Sequence, residues 1–341
     1  MQSILNSLIL IVLAFALTVL LLKLFIRFMN SRSFYQVINP DVDLHDSKGK
    51  TVTAGGVCFI LATTILSFFF ADMSQSYVYI PILTLWIFGA LGMADDLLKL
   101  RRRNNMGLTS LRKLALQILA SALLYYIMRT VIGLEMTSVS TFWDPSRKLD
   151  IGMWFPIAFL LYMVIFVNAV NISDGLDGLA TSVSISPLFL LLAIAILFAH
   201  SSVISPVQSL IGTQAIHLVP VIAIIIGSLL AFLWFNGYKA SVFMGDVGSH
   251  AIGGFIGVSA LLMKVEIIVA IASGLIMSEL LSSFIQIVSL RLYKKKVFLL
   301  APLHHHLEKK GMEEGKIVTR FSIISMLLTL IATYMFLLTH R

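Results

Sequence analysis

The stretch WFPIAFLLYMVIFVNAVNISDGLDGLA, residues 154–180, decides the fold of this chain. Its first fourteen residues are apolar, and two aspartates, Asp174 and Asp177, follow shortly afterwards among glycines. A continuous apolar run that ends at acidic residues is typical of a membrane-spanning helix with a polar site at its end. The same arrangement recurs along the rest of the chain.

The composition of the 341 residues predicts a membrane protein. They are 58% hydrophobic and 12% charged, with a mean hydropathy of +0.95. So much apolar surface cannot be buried in one aqueous core, and a β-barrel would show short alternating segments instead of long apolar runs. We predict an all-α, polytopic protein with a single transmembrane domain over residues 1–341. The ten predicted spans are 4–28, 55–71, 78–94, 113–133, 152–170, 183–199, 218–235, 251–263, 265–290 and 317–339.

The ninth predicted span is long and the eighth is short, which favours a break or a steep tilt in this pair. Orientation follows from Lys and Arg, because cytoplasmic loops carry an excess of these residues. Twenty of the 25 lie on one side if the first loop is cytoplasmic, and the other face has only Arg129, Arg147, Lys148, Lys264 and Arg341. Both termini are therefore predicted on the outer side.

Three acidic clusters directly follow apolar spans on the predicted cytoplasmic side. They are GMADDLLKL with Asp95 and Asp96, NISDGLDGLA with Asp174 and Asp177, and FMGDVGS with Asp246. Carboxylates at one membrane depth repel each other unless a cation neutralises them, and Mg²⁺ prefers oxygen ligands. The alternative is that each acid only caps a helix. Neighbouring glycines would let backbone N–H groups approach a phosphate, although Gly beside Asp also marks ordinary turns.

The last cytoplasmic loop contains the sequence APLHHHLEKKG, with three consecutive histidines. Successive helical residues point about 100° apart, so three of them do not reach one zinc ion without a loop. Contact with a phosphate-bearing substrate is favoured over a zinc site and over a solvated loop.

Five stretches together resemble one family. They are LHDSKGKTVTAGG (44–56), GMADDLLKL with GLTSLRKLALQ, NAVNISDGLDGLA, FNGYKASVFMGDVGS and APLHHHLEKKG. In this order they resemble the phospho-N-acetylmuramoyl-pentapeptide transferases of bacterial cell-wall synthesis, within the polyprenyl-phosphate N-acetylhexosamine-1-phosphate transferase superfamily. The chain departs from the family pattern at Val52, Ala54 and Val247, where Pro, Met and Thr are usual.

The resemblance implies transfer of phospho-N-acetylmuramoyl-pentapeptide from its UDP carrier to undecaprenyl phosphate, which gives lipid I and UMP with Mg²⁺ as cofactor. It implies an inner-membrane enzyme in contact with membrane lipids. Asp95, Asp96 and Asp246 are the implied metal ligands and, with His304, the catalytic residues. One of Asp95 and Asp96 would act as a base or as a covalent nucleophile, and this choice stays open. The implied substrate-binding residues are Lys48, Lys113, Asn171, Asp174, Asp177, Asn236, Phe243, Gln286, His305 and His306.

Several of these residues have plainer interpretations. Phe243 resembles the family's uracil-stacking aromatic residue but could be packing, Lys113 could anchor a helix end, and Gln286 could join two helices. Asn168 is interpreted as helix-end polarity only.

Two other functions stay open at this point. One is a UDP-N-acetylglucosamine 1-phosphate transferase for another envelope glycan, and the other is a secondary transporter, which would need acids at mid-membrane and internal symmetry. A homodimer through an apolar outer span is left open, and no nucleic-acid partner is expected.

Overall fold

The fold of the chain is a bundle of long helices, seen in a computed structural model that describes residues 2–31, 51–102, 107–132, 137–140, 148–200 and 214–339. The helices are α1 (Gln2–Ser31), α2 (Gly56–Phe70), α3 (Ser76–Arg102), α4 (Ser110–Ile132), α5 (Phe155–Ser173), α6 (Leu179–His200), α7 (Leu218–Asn236), α8 (Gly245–Met263), α9 (Glu266–Ala272), α10 (Gly274–Leu292), α11 (Leu303–Lys309) and α12 (Glu314–Thr339). Between α4 and α5, strands β1 (Ser138–Ser140) and β2 (Lys148–Asp150) pair antiparallel, and a 3₁₀ turn (Gly152–Trp154) leads into α5.

The predicted membrane architecture is confirmed. Within the described residues, nine helices are long and apolar enough to cross a bilayer, and the shorter α2 is also apolar. Each of the ten predicted spans contains a helix. The predicted ninth span is broken at Ser273, which separates α9 from α10. The orientation of the termini stays a prediction.

Two predicted boundaries stopped short of the helices by six or more residues. The third span was placed at 78–94, but α3 continues through Asp95, Asp96 and Lys99 to Arg102. The eighth was placed at 251–263, but α8 begins at Gly245 and therefore holds Asp246 in its first turn. Hydropathy falls at the first charged residue, whereas the hydrogen-bonded helix continues because charged side chains do not break it.

Helix α8 forms the centre of the bundle and packs most extensively against α3 and α5. The approach to α3 is close at Gly92, where an added Cβ would overlap the backbone carbonyl of Asp246. On the α5 side, a Cβ at Gly253 would meet the backbone of Phe166 and Val167. Small residues allow such backbone approach between membrane helices. The aspartates at the end of α3 therefore lie beside the start of α8.

Candidate active site

The first turn of α8 is fixed by the carboxylate of Asp96. Its Oδ1 accepts the backbone N–H of Asp246 at 3.1 Å, and its Oδ2 accepts that of Val247 at 3.1 Å. These N–H groups have no partner inside the helix, and the helix dipole favours negative charge at this end. Gly245 enters the helix with φ +72°, a conformation that favours glycine. Asp96, 5% exposed, therefore serves as a helix cap.

The carboxylate of Asp246 is held by three side chains from three helices. Lys113 on α4 places its Nζ 2.7 Å from Oδ2, and Lys99 on α3 places its Nζ 2.9 Å from the same oxygen. Asn171 on α5 donates to Oδ1 at 2.9 Å and to the Ser249 hydroxyl at 3.0 Å. Lys113 also donates to Oδ1 of Asn171 at 3.2 Å. Three of the predicted site residues thus meet at one carboxylate.

Asp95 lies on the other side of Lys99. The Lys99 Nζ is 2.8 Å from Asp95 Oδ2 and 4.0 Å from Asp96 Oδ1, so one ammonium lies between the acids of α3 and α8. Asp95 Oδ1 accepts the backbone N–H of Leu108 at 2.5 Å, which ties the segment before α4 to α3. Three carboxylates thus share two ammonium groups, an excess of negative charge that suits a further cation.

The acidic loop after α5 joins this cluster through its charge. Burial, followed by the negative charges of Asp246 and Asp96, raises the pKa of Asp174 to about 8. Asp177 has a different role, because its Oδ2 accepts the backbone N–H of Ala240 at 3.0 Å and its own N–H donates to Glu314 Oε1 at 2.6 Å. The charge of Asp174 therefore interacts with the charges of the cluster. Asp177 instead holds the loop that precedes α8.

Two predicted substrate-binding residues make hydrogen bonds within the chain. Asn236 is buried, donates to the carbonyl of Val242 at 2.9 Å and accepts from the Thr181 hydroxyl at 3.0 Å. Gln286 accepts the N–H groups of Val297 and Phe298 with Oε1, at 3.1 and 2.9 Å, and its Nε2 donates to the Phe298 carbonyl at 3.2 Å.

Phe243 is half-buried in the loop before α8, and its backbone N–H donates to the carbonyl of Val52 at 2.7 Å. Lys48, the remaining predicted substrate contact, lies outside the described residues.

The three histidines of α11 take three different partners, as the helical spacing predicts. His304 is completely buried, and its Nδ1 lies 2.9 Å from Oε2 of Glu279, which also accepts the His304 backbone N–H. His305 Nδ1 lies 2.6 Å from Glu308 Oε2, and His306 Nδ1 accepts the N–H of Leu299 at 3.1 Å. The Nε2 of His304 has no hydrogen-bond partner among the described residues, and it lies against Gly175, beside Asp174.

The donor chemistry of the cluster fits Mg²⁺. No group of three or more acidic, His or Cys side chains in the described residues is arranged as a ready-made metal cage. Mg²⁺ does not require such a cage, because it is commonly held by one or two carboxylates, waters and substrate phosphates. Asp95 and Asp246 supply two facing carboxylates, and the Lys99 ammonium between them shows that this position accepts positive charge.

Several participants were missed by the sequence analysis. Lys99 lies four residues after Asp95, a spacing that pairs opposite charges on a helix and could have revealed it. Glu279 and His250 are ionisable residues inside apolar helices, where such groups are functional candidates by default. Asn168, interpreted earlier as helix-end polarity, forms a hydrogen-bonded amide pair with Gln117.

Comparison with known proteins identifies the family of the chain. The family model described as glycosyl transferase family 4 matches residues 78–264. Proteins named phospho-N-acetylmuramoyl-pentapeptide-transferase are similar over most of the chain. The one from Campylobacter curvus is 38% identical over 330 residues, which cover 94% of this chain and 90% of the relative.

The relatives from Helicobacter pylori and Oceanobacillus iheyensis are each 36% identical. The first covers 94% of this chain and 90% of the relative, and the second covers 96% and 97%. The chain belongs to the phospho-N-acetylmuramoyl-pentapeptide-transferase family, within glycosyl transferase family 4.

Proposed function

We propose that the chain transfers phospho-N-acetylmuramoyl-pentapeptide from its UDP carrier to undecaprenyl phosphate in the bacterial inner membrane, giving lipid I and UMP. The observation that carries the proposal is the grip on Asp246, whose carboxylate is held by Lys99, Lys113 and Asn171 from three helices. Phosphoryl transfer needs positioning and charge neutralisation more than covalent chemistry, and this cluster offers both.

Asp95 and Asp246 would hold the Mg²⁺, while Asp96 keeps the first turn of α8 in place for Asp246. When bound, Mg²⁺ would neutralise charge on the diphosphate of the UDP carrier and on the departing UMP. Lys99 and Lys113 are within 3 Å of Asp246 Oδ2 and would turn towards phosphate oxygens once the metal takes over that carboxylate. Both ammoniums would then stabilise the negative charge of the reacting phosphates.

The lipid acceptor would reach the cluster beside Lys113. Its neighbours Leu111 and Leu114 are 79% and 40% exposed, so the start of α4 presents an apolar surface to the bilayer. Lys113 itself points to Asp246. A polyprenyl chain lying against α4 would therefore bring its phosphate to the edge of the cluster. An acceptor phosphate there has Asp95 beside it as a base, 3.9 Å from the Lys113 Nζ.

On the nucleotide side, Asp174 lies in the loop between α5 and α6, and His304 lies against the neighbouring Gly175. The half-buried ring of Phe243 would stack on the uracil from the loop before α8. His304 is the candidate for a direct catalytic contact, because its Nε2 has no hydrogen-bond partner among the described residues while Glu279 fixes the opposite side of the ring. The hydrogen-bonded amides of Asn236 and Gln286 would shape this region by holding loops. Lys48, His305 and His306 remain proposed contacts for sugar and phosphate.

The test is a UMP-release assay with purified protein in detergent and undecaprenyl phosphate as acceptor. We expect release from UDP-N-acetylmuramoyl-pentapeptide that requires Mg²⁺ and is abolished by EDTA. Replacing the donor with UDP-N-acetylglucosamine should give little release. Comparable or higher release from UDP-N-acetylglucosamine would replace the proposal with the 1-phosphate transferase for another glycan. Release that EDTA leaves unchanged would refute the metal assignment while leaving the transfer intact.

A further inference from the structure

A second polar layer lies one helical turn below the site. The upper layer consists of Lys113 on α4, Asn171 on α5 and Asp246 on α8, described above. The lower layer consists of Gln117, Asn168 and His250, which lie four, three and four residues further from the site on the same three helices. At a rise of about 1.5 Å per residue, this places the lower layer about 4.5–6 Å deeper along the helices.

The lower layer is largely buried. Gln117 and His250 are fully buried, and Asn168 is partly buried. Buried polar groups in a bilayer are costly unless they are hydrogen-bonded, and they are rarely found without a function. The three side chains are connected in series, from Asn168 to Gln117 and from Gln117 to His250.

The donor and acceptor of every hydrogen bond in the lower layer follow from one backbone carbonyl, that of Val164. Asn168 contacts the backbone carbonyl of Val164 at 2.8 Å, and because a carbonyl only accepts, the contacting atom is the amide nitrogen Nδ2. The same Nδ2 donates to Gln117 Oε1 at 2.7 Å, and Asn168 Oδ1 accepts from Gln117 Nε2 at 3.3 Å. This reciprocal amide pair fixes the orientation of Gln117.

The orientation of Gln117 in turn fixes the protonation of the His250 ring and its contact with the first turn of α8. Gln117 Nε2 lies 3.2 Å from His250 Nε2 and is a donor, so that ring nitrogen is an unprotonated acceptor. A neutral imidazole then carries its proton on Nδ1, which lies 2.8 Å from the backbone carbonyl of Asp246 and donates to it. The first turn of α8 is thereby tied through His250 to α4 and α5.

We propose that the lower layer, Gln117, Asn168 and His250, positions Asp246 for the metal and the diphosphate. This inference rests on the proposed role of Asp246 as a metal ligand. The three residues are positioning residues, because none of them touches the cluster of carboxylates with its side chain, and His250 acts through the backbone of Asp246. Groups that orient metal ligands in this way affect metal affinity or activity by about 10- to 100-fold.

The test is a double-mutant cycle of His250→Leu, Gln117→Leu and the double variant. Leucine keeps the helices apolar, so membrane insertion is preserved. We expect each single variant to lower kcat about ten-fold, with KM for undecaprenyl phosphate unchanged. We expect the double variant to be no slower than the worse single variant, because both bonds belong to one chain of contacts. Ser259→Ala is the matched control, since this buried α8 hydroxyl has no hydrogen-bond partner among the described residues.

Thermal stability separates positioning from a merely structural role. Gln117→Leu leaves both Asn168 and His250 without their partner, whereas the double variant leaves only Asn168, so it should recover part of the Tm lost in Gln117→Leu. Positioning predicts that kcat stays low in the double variant even though its Tm recovers. If kcat recovers together with Tm, or if the folded single variants keep the wild-type kcat, the inference is wrong. If His250→Leu does not fold, Asn168→Leu tests the same layer from α5 with the same expected outcomes.

A measurement without turnover tests the link to the metal. In the absence of substrates, we expect Mg²⁺ to raise the Tm of the wild type and of Ser259→Ala. We expect a smaller rise in the lower-layer variants and no change in the Tm of Asp246→Asn. If Asp246→Asn keeps the full Mg²⁺ effect, the metal assignment has failed. If Asp246→Asn loses the effect while His250→Leu and Gln117→Leu keep both it and the wild-type kcat, only the positioning inference has failed.

Discussion

Helices α1 and α8 show opposite relations between apolarity and burial. The most apolar part of α1 has a mean hydropathy of 3.0, yet only 22% of it is buried in the protein. The corresponding part of α8 has a mean hydropathy of 1.3 and is 94% buried. Lipid tails are as apolar as leucine, so high apolarity does not by itself place a helix in the interior, whereas small residues such as Gly92 and Gly253 allow α8 to pack closely there. Among the nine candidate spans of the described residues, the least apolar one is therefore the most buried, and it holds Asp246 in its first turn.

The largest effect should come from separating α8 from α3. In Gly92→Val, the new side chain would overlap the Asp246 backbone, and either α8 must move or the helices must part. We expect UMP release to fall at least about 100-fold, since a displacement of about 1 Å at a reacting centre costs that much. The matched control is Val12→Leu on α1, a residue that is 67% exposed, and it should keep wild-type activity. Equal losses in both variants would contradict the contrast between the two helices.

A smaller loss is expected where a buried hydrogen bond between Glu279 and His304 supports the site. Glu279→Gln keeps the shape of the side chain but removes the carboxylate beside His304 Nδ1. We expect kcat to fall about 10- to 100-fold, as for loss of a buried charge-assisted hydrogen bond. Glu308→Gln, at the more exposed His305 pair, is the control and should lose much less. If the two substitutions cost the same, burial does not distinguish the histidines.

The smallest effect concerns the pH dependence of stability. The pKa of Asp174 is raised to about 8 in the folded chain, mainly by burial and by Asp246 and Asp96. The folded state therefore binds this proton more tightly than the unfolded state, and stability is lost as pH rises from the ordinary Asp pKa of about 4 towards 8.

The side chain of Asp174→Asn cannot titrate. The Tm of this variant should therefore rise relative to the wild-type Tm as pH increases from 5 to 8, by an amount on the order of a few °C. Tm measurements at several pH values without Mg²⁺ check this. A constant difference between the two proteins over this range would show that the pKa of Asp174 is not raised.

Most of the fold was predictable because apolar runs report on contact with lipid. Each predicted span contains a helix, and even the break near Ser273 follows from the length of the ninth run. The ends of α3 and α8 were not predictable from hydropathy, since both helices continue into polar residues that form the site. Sequence patterns locate where the chain leaves the lipid, whereas helix ends depend on contacts such as the Asp96 cap.

The site was predictable as a set of residues and less so as a set of roles. Asp95, Lys113, Asn171 and Asp246 meet as the motifs suggest. The hydrogen bonds that occupy Asn236, Gln286 and Asp177 depend on backbone groups brought together by folding, and no spacing in the sequence reveals them. Lys99 could have been predicted from its charge pairing with Asp95. His250 and Glu279 could have been predicted because they are ionisable residues in apolar helices.

The central claim is that acidic side chains from separate segments converge on one divalent cation at the start of α8. Electron paramagnetic resonance with Mn²⁺ as a Mg²⁺ substitute, on purified protein with UDP present, tests it most directly. The account predicts one bound Mn²⁺ per chain, lost in Asp246→Asn and weakened in Asp95→Asn, while Asp72→Asn, an exposed turn residue away from the cluster, leaves it intact. Unchanged Mn²⁺ binding in Asp246→Asn would contradict it.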